Sequence, residues 1–336
     1  TRTEAIEKLE QLRFAWRGDQ LEFNLLRRLG ELYLEDKDFV SGLSALRQAV
    51  TFFPNNVEAR MVSKRMINEF SSIYTDGTAD SMTPLTALSM YDQFRELTPV
   101  GRRGDRIIQR LADRLVEVDL LDRASVLLDR QVKFRLRGKQ KAIVGSKLAL
   151  IRLLDRQPRM ALDALNESVS PGLDSGLALE RKRLRSRSVF ELGDSESALK
   201  LIKNDDSRKA DLLRADIYWR TQDWERSALI YQRLIGDTGK DGRRLSDLSA
   251  TLVVNWVVSL SMNGQKDKLN EARQIYAAMM DSTRYREAFR LITNKTAEDL
   301  QDFRTLTERF QEIGRFQRFL TSYREKLWDQ PLSKIQ

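Results

Sequence analysis

The chain has 336 residues, of which 32% are charged and 41% hydrophobic, and a formal net charge of +9. This is the composition of a folded protein rather than a disordered one, long enough for two or three compact domains or one elongated array. With no Cys and no His, disulfides, thiol nucleophiles, imidazole bases and the usual zinc sites are excluded.

Only 6 Pro and 16 Gly are present, and no stretch alternates strictly enough to read as a strand, so the expected class is all-α. The chain opens on Thr1 without a Met or a leader-like segment; it reads as a fragment whose targeting signal would lie upstream. The lack of Cys leans toward a bacterial periplasmic location, with the cytoplasm as the alternative. The most apolar run, 248–262 (LSATLVVNWVVSLSM), is shorter than the roughly 20 residues a membrane span needs and is interrupted by Asn255. A buried helix is expected there.

Taken in order, 4–17 carries Ile6, Leu9, Leu12 and Trp16 on one helical stripe, ended by Gly18-Asp19. Residues 24–54 (NLLRRLGELYLEDKDFVSGLSALRQAVTFFP) then predict two amphipathic helices joined at Asp36-Lys37-Asp38. Counted from Gly30, Tyr33 falls at +3, Gly42 at +12, Leu46 at +16, Ala49 at +19 and Pro54 at +24. Small residues at Gly30 and Gly42 suit two antiparallel helices in close approach, and Pro54 stops the second helix. This pattern resembles the tetratricopeptide repeat (TPR), a 34-residue helical hairpin with L-G-x-x-Y, a small residue, an aromatic or Leu, Ala and Pro at those spacings.

Weaker echoes follow. Residues 57–74 predict a helix with Met61, Val62, Ile67, Phe70 and Ile73 inward, and a long polar loop over 75–82 leads to Ala87, Tyr91, Phe94 and Pro99. Helix 105–118 (Ile108, Leu111, Ala112, Leu115) pairs with Ala124 and Leu128. Ala149 with Ala161 and Leu165, and Ser186 with Ala198 and Ile202, repeat the +12 and +16 spacing. The full pattern returns in Ala215, Tyr218, Ser227, Tyr231 and Leu234, with Asp223-Trp224 in the turn. The best units are 24–56 and 208–236; 249–281 and 298–327 are degenerate. Trp219 is expected either to pack within its hairpin or to face the groove.

The resemblance implies one continuous domain over 1–336, a right-handed α-solenoid of stacked antiparallel helix pairs with first helices lining a concave face. Loops 169–176 and 236–247 read as surface connectors. The run Gly236–Gly242 has neither phosphate-loop nor calcium-loop spacing. The carboxylate clamp of some family members is not matched: the corresponding positions hold Asn24, Arg27, Glu31, Glu58, Met61 and Arg65.

Charge is unevenly placed. Residues 1–98 hold 12 basic and 15 acidic side chains, 99–187 hold 21 and 11, and 188–336 hold 25 and 23. No acid interrupts 130–154, and ERKRLRSR at 180–187 is a second basic cluster. Such a region attracts an acidic protein, nucleic acid, or an anionic lipid or polymer, or it is a solvated face with cations at helix C-termini. The loop 98–105 either grips an anion through Arg102 and Arg103 or is a turn in which Asp105 opens the next helix.

The chain thus reads as a non-catalytic protein–protein scaffold without a cofactor, holding a peptide or helix, acidic in character, in its groove. A place in a bacterial envelope assembly such as a flagellar motor or secretion system fits the same reading. Candidate partner contacts are Arg27, Arg65, Arg102, Arg103, Arg106 and Arg110, with Lys133, Arg135, Arg137, Lys139 and Lys141 as basic surface. The alternatives are nucleic-acid or anionic-polymer binding through 99–187 and an enzyme built on paired carboxylates of shifted pKa.

Overall fold

The computed structural model describes residues 1–15, 18, 20–238 and 244–294. Trp16 and Asp19, part of the 236–247 connector, and the expected helix pair 298–327 lie outside the described residues. Every element of the described chain is helical. Two compact units are present, divided between Leu136 and Arg137.

The first unit holds α1 (Arg2–Ala15), α2 (Gln20–Glu35), α3 (Phe39–Phe52), α4 (Ala59–Thr75), α5 (Pro84–Gln93), α6 (Arg102–Glu117) and α7 (Leu121–Phe134). The second holds α8 (Gly138–Leu154), α9 (Pro158–Glu167), α10 (Ser175–Glu191), α11 (Ser195–Leu201), α12 (Arg208–Arg220), α13 (Trp224–Ile235), α14 (Asp247–Met262), α15 (Lys266–Met280) and α16 (Arg286–Asn294). Within each unit most consecutive helices pack on each other, as α2 does on α3, α6 on α7, α8 on α9 and α13 on α14, and α4 packs between α3 and α6. This is the stacked, all-α arrangement the repeat pattern implies.

Six hairpins close with the same three-residue turn: α2–α3, α6–α7, α8–α9, α10–α11, α12–α13 and α14–α15. The middle residue is left-handed each time: Lys37 (φ 65°), Asp119 (63°), Arg156 (56°), Gly193 (98°), Gln222 (59°) and Gly264 (69°). The next residue's N–H reaches back to a carbonyl in the preceding helix, as in Asp38 to Tyr33 (2.9 Å) and Asp223 to Tyr218 (2.8 Å). This satisfies one of the helix's orphan acceptors and reverses the chain in a minimal span. Where that residue is Asp38, Asp194 or Asp223, its carboxylate also caps the following helix by accepting from Ser41, Ser197 or Arg226 N–H.

So short a turn brings its helices together at a fixed place. Seven residues before and five after the left-handed residue stand Gly30 and Gly42, Ala112 and Ala124, Ala149 and Ala161, Ser186 and Ala198, and Ala215 and Ser227. All are buried. A Cβ on Gly42 would lie 2.7 Å from Leu34 Cγ and 3.0 Å from the Gly30 carbonyl; one on Gly30 would lie 2.6 Å from Leu46 Cγ. The α14–α15 pair puts Val257 and Leu269 at those places and instead packs Trp256 against Tyr276 edge-on at 6.2 Å.

The α4–α5 pair lacks the turn. Residues 76–83, with a 3-10 turn at Ala79–Ser81, occupy the expected long loop. Tyr74 holds the pair by donating to the Ala87 carbonyl (2.8 Å), within a buried group formed with Phe70 and Tyr91.

Two expectations need correction, and two are settled. Met61 does not point inward; it is 66% exposed. The inner face of α4 runs through Ala59, Val62, Met66, Phe70 and Ile73, so Met66 takes the core place and Ile67 is half-buried. Asp105 does not open α6, whose N-cap is Gly101 (φ 81°). Trp219 packs inside its hairpin against Trp224 and Tyr231, with ring centroids at 5.3 and 5.8 Å. Residues 248–262 form the buried helix α14, where Asn255 donates to Tyr231 Oη at 3.4 Å. No described helix is long and apolar enough to cross a membrane.

Gly42→Ala is expected to cost about 1–3 kcal/mol through overpacking, seen as a lower denaturant midpoint with an unchanged slope. The turns give a paired test. Gln222→Gly relieves a left-handed non-glycine residue and is expected to be neutral or to stabilise by up to ~1 kcal/mol, whereas Gly193→Ala is expected to cost about 1 kcal/mol. Thermal melts of the two variants check the opposite signs.

Candidate functional site

The first helices of neighbouring pairs are tied together by arginines. In the first unit Arg65 on α4 reaches Glu31 on α2 (2.8 Å), which also receives Arg27 (3.2 Å) and Arg28 (3.4 Å) from its own helix. Arg27 also approaches Glu58 (3.4 Å), and Arg65 approaches Glu69 (3.9 Å). A second set of arginines ties α6 to the end of α4 and the segment that follows it. Arg110 pairs with Asp80 and donates to the Thr75 carbonyl (3.2 Å), and Arg114 donates to the carbonyls of Ala79 and Met82, both at 2.6 Å. Between Glu58 and Arg65, one helical turn from each, Met61 projects into solvent.

Of the candidate contacts, Arg27 and Arg65 therefore converge on one carboxylate, while Arg110 is turned into the α4–α5 connection. Arg102, Arg103 and Arg106 lie together on the first turns of α6, exposed. Close to them is the end of α7. Arg135 donates to Asp105 (2.8 Å) and to the Pro99 carbonyl (2.6 Å), and Gln131 donates to the Asp105 carbonyl (3.1 Å). Gly104 must lack a side chain here, since a Cβ would fall 1.9 Å from the Pro99 carbonyl oxygen. Lys133 pairs with Asp129 within α7 (2.9 Å).

In the second unit Arg137 is exposed at the start of α8, Lys139 pairs with Asp174 (3.0 Å), and Lys141 is half-buried. The basic cluster at 180–187 is largely internal. Arg181 donates to the carbonyls of Ala142 (2.8 Å) and Leu165 (2.6 Å) and to Ser146 and Ser168, joining three helices. Burial, with Arg185 nearby, pulls its pKa below the usual guanidinium range. Arg183 pairs with Asp205 (2.7 Å), Arg185 donates to Asn166 (2.7 Å), and Arg187 joins Asp216 and Glu191. Arg220 returns from α12 to Glu191 at 3.0 Å.

Among the described residues, the carboxyl groups whose pKa values are displaced all move down. Asp174 and Asp194 are lowered first by hydrogen bonds at their caps, from Leu177 and Ser197, and Asp281 by its bond from Arg290. At Asp205 burial pushes up, but hydrogen bonds from Ser207 and Arg183 outweigh it and hold the group below its ordinary value. These shifts are opposite in sign to that of a carboxylic acid kept protonated for proton donation. They describe structural carboxylates.

Removing the Asp205 carboxylate leaves a buried guanidinium without its counter-charge, so Asp205→Ala is expected to cost about 3–5 kcal/mol at neutral pH. Because the folded pKa is lowered, that stabilisation is present above the unfolded carboxylate pKa and is lost as pH falls through the folded one. The stability gap between the wild-type chain and the variant should stay level above about pH 4 and close below it. Urea titrations across that range check the sign.

No family model matches the chain, and no curated protein matches it significantly. Among solved structures, the TPR domain of P58(IPK) is similar over 98% of this chain and 94% of its own, at 14% identity and a TM-score of 0.25. The repeat character of the fold stands on the turns and small-residue crossings rather than on this likeness.

Proposed function

We propose that the chain is a non-catalytic scaffold that holds a peptide or helix of a protein partner against the first-helix face of α2 and α4. The observation that carries this reading is the exposed Met61 between Glu58 and Arg65, on a face ordered by the Arg27–Glu31–Arg65 bridge. A flexible thioether set among fixed charges is an adaptable apolar anchor with a polar rim. Arg60 and Lys64, exposed beside it on α4, tilt the surface toward an acidic, amphipathic partner. The downward carboxylate shifts agree with a non-catalytic role, and the internal use of Arg181, Arg183 and Arg187 takes the 180–187 cluster away from nucleic-acid binding. On this reading the lack of Cys suits an assembly in a bacterial periplasm.

A displayed peptide library selected on the whole chain tests the proposal. The enriched peptides should be acidic with apolar residues at helical spacing, and Met61→Asp should weaken them by about tenfold or more. Enrichment of peptides without acidic residues, or peptides indifferent to Met61→Asp and Arg65→Glu, would overturn it.

A further inference from the structure

Two of the most exposed large apolar side chains of the described chain are Val100 (94% exposed) and Phe134 (82%). They are far apart in sequence, yet Arg135, next to Phe134, donates to the carbonyl of Pro99, next to Val100. The two side chains therefore crown the same end of the α6–α7 hairpin. Residues 99–106 and 130–136, which build that end, hold six basic side chains and one acid. The acid, Asp105, is already paired with Arg135. Asp129 is paired with Lys133, and Glu96 with Arg47 (3.3 Å). Arg102, Arg103, Arg106 and Arg130 stand exposed around the apolar pair, with no carboxylate partner among the described residues. Arg130 and Phe134 share a face of α7, one turn apart.

We infer that this hairpin end docks on an anionic membrane surface, with Val100 and Phe134 entering the interface and the four arginines meeting acidic headgroups. Charge complementarity selects the occupant. Unpaired guanidinium groups call for a dense negative surface, and they form bidentate contacts with phosphate oxygens. The degree of exposure decides between anionic partners. An apolar side chain projecting almost free of its own chain suits a medium that yields around it, whereas a groove would cradle the peptide it holds. An aromatic ring beside basic groups is the usual composition of an interfacial anchor. Single-stranded nucleic acid is bound instead by successive aromatic platforms along a basic track, and this end offers one ring.

The surface is distinct from that of Met61, so the two proposals fail separately. Flotation of the whole chain with phosphatidylglycerol vesicles and with phosphatidylcholine vesicles supplies the test. Binding is expected on the first only, weakening about fivefold for each arginine neutralised and falling with salt. Arg103→Glu should weaken it far more than Lys182→Glu, which makes the same charge change at an exposed position of the second unit. Phe134→Ser should weaken it with an unchanged thermal melt. Because the chain has no Cys, Val100→Cys accepts a single environment-sensitive dye, which should shift to the blue on phosphatidylglycerol vesicles. Equal binding to both vesicles, equal loss from Arg103→Glu and Lys182→Glu, or a dye that stays in water would each overturn the inference. So would binding of polyglutamate or single-stranded DNA at this end without vesicle binding.

Discussion

The structure depends on one backbone constraint: a helix must end, reverse and restart within three residues. Only a left-handed residue at the centre of the turn permits this while still satisfying the last carbonyls. Once the turn is that short, the two helices must pass each other within two turns of it, with little room for side chains. Gly30 against Gly42, Ala149 against Ala161 and Ser186 against Ala198 are consequences of the turn as much as of the core. They stand at matching distances on either side of Lys37, Arg156 and Gly193. Where the crossing residues are large, as at Val257 and Leu269, the pair relies on aromatic packing between Trp256 and Tyr276 instead.

Pairing within a hairpin leaves the joints between hairpins to be made by other means, and here arginine makes many of them. The side chain is long enough to span neighbouring first helices, and its fork can satisfy several acceptors at once. Arg65 uses it on Glu31, Arg114 on two connecting-loop carbonyls, and Arg181 on two carbonyls and two serines of α8 and α9. Arg183 and Arg187, which pair with Asp205 and Asp216, are buried, where the gain in attraction is set against desolvation. Their contribution lies in fixing one register of hairpin on hairpin, because an arginine left unmatched inside would be far worse than one matched.

This division explains what the sequence showed. The +12 spacing of small residues was legible because it follows from the turn and needs only residue size. The turn itself was hidden, since four of its six left-handed positions are Lys37, Asp119, Arg156 and Gln222, residues that advertise no such conformation. Met61 is apolar but lies off the stripe that Ala59, Val62, Met66, Phe70 and Ile73 form at three- and four-residue spacing, so hydrophobicity alone misplaces it. The basic cluster at 180–187 read equally well as surface or as fold. Charge alone does not say whether an arginine faces a carbonyl or water, and only the placement of Leu165, Asp205 and Asp216 decided it.

The same comparison gives the end of the α6–α7 hairpin its meaning. Arginine is costly at the first turn of a helix, where the backbone N–H groups already present positive charge. Arg102 and Arg103 accept that cost behind Gly101, which contributes no side-chain cap, and they brace no neighbouring helix among the described residues. Arg135, a few ångströms away, shows what a fold-building arginine does at this place: it binds Asp105 and Pro99 and holds the loop against α7. The exposed arginines thus sit on a platform that another arginine has made rigid, beside two apolar side chains that the core does not use. A rigid cationic end crowned by Val100 and Phe134 is explained by what it meets, because nothing in the packing of the hairpin requires it.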